Sequence, residues 1–80
     1  MSAVDENELS LCVRKVLTQY FKDLDGETAA NVHEMVMNCV ERPVIEIVMG
    51  KAGNNQSRAA DILGINRNTL RKKMQQHGIK

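Results

Sequence analysis

Residues 55–74, NQSRAADILGINRNTLRKKM, constrain what this chain can fold into more than any other stretch. They read as two short helices around a glycine turn, the second loaded with Arg and Lys. The first runs from Gln56 to Leu63 behind Asn55 as its cap, with Ala59, Ala60, Ile62 and Leu63 on its buried side. Ala60 is small where the paired helices approach closely. Gly64 permits a sharp turn because glycine adopts positive φ without steric cost, and Ile65 plugs the angle between the helices. Asn66 is the natural N-cap of the second helix, accepting from the Thr69 amide. Leu70 and Met74, four residues apart, anchor that helix to the core. This is the pattern of a helix-turn-helix, which places a helix in the DNA major groove.

The anchors define the outer face. At about 100° per residue, Asn68, Arg71, Lys72 and Gln75 point away from the Leu70/Met74 line, with Thr69 and Lys73 on the flanks. Arg67 lies angularly closer to the anchors, but from the first turn its long side chain can extend past the helix end. Recognition helices usually present their N-terminal residues to bases, which favours Asn66, Arg67, Thr69 and Arg71. An Arg can donate twice to guanine O6 and N7 and so discriminate sequence. Lys72, Lys73, Arg58, Ser57 and the Asn55 region suit phosphates, which fix register. One departure stands out: many helix-turn-helices carry an apolar residue where Lys73 sits, and here Met74 takes that role.

Charge supports the same division. Residues 56–80 hold six basic side chains against Asp61 alone, leaving +5, while residues 1–55 hold five basic against nine acidic, leaving −4. The formal total of +1 therefore joins an acidic body to a basic end that attracts a polyanion.

Upstream, residues 1–8 form an acidic, frayed leader. Leu9, Val13, Val16, Leu17, Tyr20, Phe21 and Leu24 then recur at helical spacing, with Asp5 or Asn7 as candidate caps and Asp25-Gly26 as the stop. A second helix starts near Thr28 or Asn31, the latter forming a capping box with Glu34. Its wide apolar face continues on both sides of Pro43, which favours a kinked helix over a break at Arg42. Gly50 and Gly53-Asn54-Asn55 close it. The expected organisation is a leader over 1–8, a helical dimerisation core over 9–53 and a helix-turn-helix unit over 54–80, within one compact all-α, four-helix subunit.

A chain of 80 residues makes a marginal core by itself, and two wide apolar faces in it call for a second copy, most simply a two-fold dimer. Cys12 and Cys39 are expected to be buried and reduced, in a cytosolic protein. No apolar run reaches the ~18 residues of a membrane span. Neither a nucleophile–base pair, a phosphate loop nor a metal-ligand set is evident, so an enzyme, a cofactor, a metal site and a small-molecule substrate are not expected.

The stretch NQSRAADILGINRNTLRKKMQQHGI resembles the C-terminal signature of the Fis family, the bacterial factors for inversion stimulation, which are nucleoid-associated proteins. The likeness extends through Pro43 back to about Leu9. The C-terminal motif is shared with the DNA-binding domains that end NtrC-type activators; a chain starting at Met1 without an ATPase domain points to the free-standing family. The resemblance implies an intertwined homodimer whose two basic helices enter successive major grooves. They would sit closer than one turn of straight DNA, about 34 Å, so the duplex bends and A/T-rich centres are favoured. Carried over by motif position, Asn66, Arg67 and Arg71 approach bases, while Asn55, Ser57, Arg58, Thr69, Lys72 and Lys73 hold the backbone. Family members that stimulate inversion carry a β-hairpin arm before the first helix. Only eight residues precede Leu9 here, so DNA bending and transcriptional regulation in the nucleoid are expected, without recombinase activation. A helical dimerisation adaptor that never touches DNA is the reading from another class.

Overall fold

A computed structural model describes residues 6–80, and among them every regular element is a helix: α1 (Glu6–Leu24), α2 (Val32–Lys51), α3 (Gln56–Leu63) and α4 (Arg67–His77). The chain divides into two compact units, Met1–Asn31 and Val32–Lys80.

In the first unit α1 starts at Glu6, so the acidic stretch is already helical before Leu9. Asn7 lies inside the helix and is not its cap, while Asp5 falls outside the described residues. Val13, Leu17, Tyr20 and Leu24 form a half-buried stripe at spacings of four and three. The rest of the apolar set is in water: Leu9, Val16 and Phe21 are 49, 58 and 51% exposed. Tyr20 and Phe21 meet edge to face with ring centroids 5.4 Å apart. The helix stops where the sequence indicated, with the Asp25 and Glu27 amides donating to the Lys22 and Leu24 carbonyls at 3.2 and 3.1 Å.

In the second unit α2 begins at Val32, and the capping box at Asn31 does not form. Asn31 has φ 57°, left-handed, whereas an N-cap needs an extended backbone. The helix runs through Pro43 without a break, although proline offers no N–H to the Cys39 carbonyl. Gly50 lies inside the helix and does not close it. The stop is a Schellman turn: the Gly53 and Asn54 amides donate to the Gly50 and Met49 carbonyls at 3.2 and 2.9 Å.

Ile45, Met49 and Ala52, spaced four and three apart, meet Ala59, Ala60, Leu70 and Met74 to make the core of this unit. Val48, Leu63, Ile65 and Ile79 close its edges. The α2 segment thus shares one core with the two helices of the turn. Truncating the fully buried Leu70 in such a core costs about 2–5 kcal/mol.

Two expectations about burial fail. Ile62 is 53% exposed, because Ala59, Ala60 and Leu63 already fill the inner side of an eight-residue helix. Cys12 and Cys39 are free thiols and both are exposed, since they project from parts of α1 and α2 that contribute nothing to this core. No helix among the described residues is long and apolar enough to cross a membrane.

Candidate nucleic-acid interface

The interface is built by caps and anchors before it is built by charges. Asn55, extended at φ −88° and ψ 107°, accepts from the Arg58 amide at 3.1 Å and starts α3. Gly64, at φ 76°, ends it, with the Gly64 and Ile65 amides both donating to the Ala60 carbonyl at 2.9 and 3.0 Å. A Cβ added at Gly64 would meet nothing within 4 Å, so the backbone angle, not space, requires glycine there. Asn66 then caps α4 as expected, but its side chain accepts from the Asn68 amide at 2.7 Å and not from Thr69. Either amide satisfies an N-cap. A Schellman turn at Gly78, like the one at Gly64, returns Ile79 to the core, the Ile79 amide donating to the Met74 carbonyl at 2.8 Å.

Leu70 and Met74 face inward as the spacing required. Asn66 at the cap and Arg67, Asn68, Thr69, Arg71, Lys72 and Gln75 on α4 are exposed, and Asn55, Ser57 and Arg58 are exposed at the start of α3. Arg67 reaches the first turn of α3: its Nη1 donates to Ser57 Oγ at 3.4 Å. The side chains of Arg58, Arg71 and Lys72 form no ion pair with any described residue. Their charge is fully available to an anion in solvent.

Lys73 is placed differently. Its Nζ donates to Glu41 Oε2 of α2 at 2.7 Å, while His77 Nε2 lies 2.9 Å from Glu41 Oε1. The His77 side chain is only 7% exposed. The bond from Lys73, and after it the one with His77, holds the Glu41 carboxyl below the usual glutamate range. Lys73 therefore stands apart from the free cations with which the sequence grouped it. Glu41 and His77 went unnoticed in the sequence, because partners 32 and 36 residues apart leave no periodic signal.

A family model described as bacterial regulatory protein, Fis family, matches residues 37–77. A relative from Ralstonia nicotianae, named as a Fis-like DNA-binding protein, is 57% identical over 76 residues, covering 95% of this chain and 99% of its own. One from Neisseria meningitidis serogroup A, named in the same way, is 51% identical over 72 residues, covering 90% of this chain and 91% of its own. The chain belongs to the Fis family.

The matched residues of this Fis-family chain begin at Met37 and end at His77. They take in the part of α2 that reaches the core, both helices of the turn and all three members of the Glu41 group. The exposed basic face and the buried anchors thus belong to the same family segment.

Proposed function

We propose that this protein is a homodimeric, DNA-bending regulator of the bacterial nucleoid. The observation that carries the reading is the pair of exposed, unpaired cations Arg71 and Lys72 on α4, a helix anchored by the buried Leu70 and Met74. A helix held by its inner side and charged on its outer side can enter a major groove without disturbing its own fold. Asn66, Arg67 and Arg71 are assigned to base edges, with Arg71 as the principal guanine contact. Asn55, Ser57, Arg58, Thr69 and Lys72 are assigned to phosphates. The Arg67–Ser57 bond supports a short path from the base-contacting set to the phosphate-contacting one.

The dimer rests on exposure. Leu9, Leu11, Val16 and Phe21 on α1 and Met37, Val44 and Ile47 on α2 are all between 43 and 65% exposed in the single chain. Four large apolar side chains in water on α1 and three on α2 are faces that a second copy would cover. Two recognition helices in such a dimer, closer than one turn of straight DNA, require a bent duplex with a compressible centre.

Fluorescence anisotropy across a salt series tests this with two duplexes, each with G and C at the site ends, one with an A/T-rich and one with a G/C-rich centre. Tight binding that weakens steeply with salt and prefers the A/T centre is the expected result. Binding without centre preference would leave a helix-turn-helix that does not bend DNA. No binding at low salt would remove the DNA reading and favour a helical adaptor.

A further inference from the structure

We propose that Glu41 is the positioning residue of the recognition helix, and that Lys73 serves as its partner and is not a phosphate ligand. The inference rests on the DNA-binding reading for its effect, but its structural basis is independent of it.

The outer half of the α2–α4 contact is polar. Glu41 accepts from Lys73 through one carboxylate oxygen at 2.7 Å and pairs with His77 through the other at 2.9 Å. One turn away on α2, Asn38 Oδ1 accepts from Gln76 Nε2 at 3.2 Å. Positions 38 and 41 face positions 73, 76 and 77, so three bonds cross between the middle of α2 and the last turns of α4. Each fixes a different point along α4. The apolar anchors Leu70 and Met74 hold the same helix against the core, but apolar contacts tolerate sliding and rotation that charge-assisted bonds do not.

The position of Lys73 follows from this. A helix-turn-helix with an apolar residue there would fill the groove between α4 and α2 with packing. Here a lysine occupies it, and its charge is met by a carboxylate on the facing helix. Its side chain is 33% exposed and already bonded at 2.7 Å. Reaching a phosphate would leave Glu41 with His77 alone. Met37 and Val44, one turn before and one turn after Glu41 on α2, and Ile47 beyond them belong to the exposed face assigned above to the second subunit. The angle between α4 and α2 then sets the separation of the two recognition helices, and through it the bend.

Four variants of the full chain test the proposal: Glu41→Gln, Lys73→Gln, Lys72→Gln and Glu46→Gln. Glu46 pairs with Arg42 at 3.7 Å on the exposed surface of the same helix, so its variant controls for charge alone. Without DNA, amide exchange in residues 73–79 should quicken in Glu41→Gln and Lys73→Gln, and not in Glu46→Gln. Unchanged exchange would overturn the proposal whatever the protein does with DNA. With DNA, Lys72→Gln should lower the slope of log K against log salt by about 0.9, while Lys73→Gln leaves it unchanged. Glu41→Gln and Lys73→Gln should each reduce the preference for an A/T centre roughly 2- to 30-fold, and the double variant should lose no more than either alone. A fall in slope for Lys73→Gln equal to that for Lys72→Gln would overturn the proposal while leaving the DNA reading intact. Wild type that binds no duplex, with exchange still quickened by the two variants, would instead overturn the DNA reading and leave the clamp.

Discussion

Arg71 and Lys72 are neighbours, both cationic and both exposed on α4, yet about 100° of helix separates their directions and their chemistry differs. A guanidinium matches the paired acceptors of guanine in a plane, whereas an ammonium is a point charge that suits any phosphate. Arg71→Ala is therefore predicted to cost about 1–3 kcal/mol at a preferred site and to relax its sequence preference. Lys72→Ala should weaken all duplexes evenly and lower the salt slope by about one. Titrations of both variants on two sequences check this, and identical behaviour would show that the division into base and phosphate contacts is wrong. Glu41 carries a prediction of another kind. Its carboxyl is held below the ordinary range chiefly by Lys73, so the folded state binds that proton less readily than the unfolded chain. The stabilisation is complete above about pH 5 and is lost as pH falls past the ordinary glutamate value of about 4.3 and through the folded one. For a partly exposed pair it is worth about 1 kcal/mol or less. Thermal melts should show wild type above Glu41→Gln near neutral pH and the gap closing below pH ~4. A gap that is constant down to strong acid would show that the charge on Glu41 contributes nothing.

At the scale of elements, the turn between α3 and α4 and the last turn of α2 contain two glycines with opposite roles. Gly64 sits at φ 76° and Gly50 lies within α2; a Cβ at either meets nothing within 4 Å. Crowding therefore cannot explain any difference between them. Gly64→Ala forces a side chain into the left-handed region and should cost about 1–2 kcal/mol. Gly50→Ala restricts the unfolded chain and should gain about 0.5–1 kcal/mol. In a domain of this size each kcal/mol moves the melting midpoint by about 4–8 °C, so the two variants should melt on either side of wild type. A loss at Gly50 would point to a close neighbour in the proposed dimer. The same contrast shows what was legible in the sequence. Asn55, Gly64, Asn66, Leu70 and Met74 act within a few residues of themselves, and their roles as caps, turn and anchors could be read from spacing. The N-cap rule admits the Asn68 and Thr69 amides alike, so spacing does not choose between them. Asn31 looked like a cap because residue type does not reveal the sign of φ. Glu41 with Lys73 and His77 was invisible because the bond depends on how α4 packs on α2, which no local pattern encodes. Lys73 did leave one trace, a lysine where an apolar residue is usual.

For the whole molecule the open surface is the decisive fact. Ile47 is 64% exposed, beside Val44 at 43%, one turn of α2 away. If the subunit acts alone, Ile47→Lys is an ordinary surface change, worth no more than about ±0.5 kcal/mol. If the face is covered by a second chain, the same substitution places a charge in each half of a buried seam, and breaking the dimer follows. Because α1 must draw its stability from packing its apolar stripe, separation of the subunits should also unravel α1, while the Ile45–Leu70 core of the second unit persists. The expected outcome in Ile47→Lys is thus a halved mass in sedimentation and a loss of helical signal smaller than full unfolding. The melting midpoint of wild type should also rise with protein concentration, as that of any dimer does. DNA affinity would fall much further than one lost contact implies, because two recognition helices on one rigid body bind as a pair and two free ones do not. A monomeric wild type with a concentration-independent midpoint would break this chain of reasoning at its first link. The exposed residues of α1 and α2 would then need a different partner, and DNA bending by paired helices would have no structural basis.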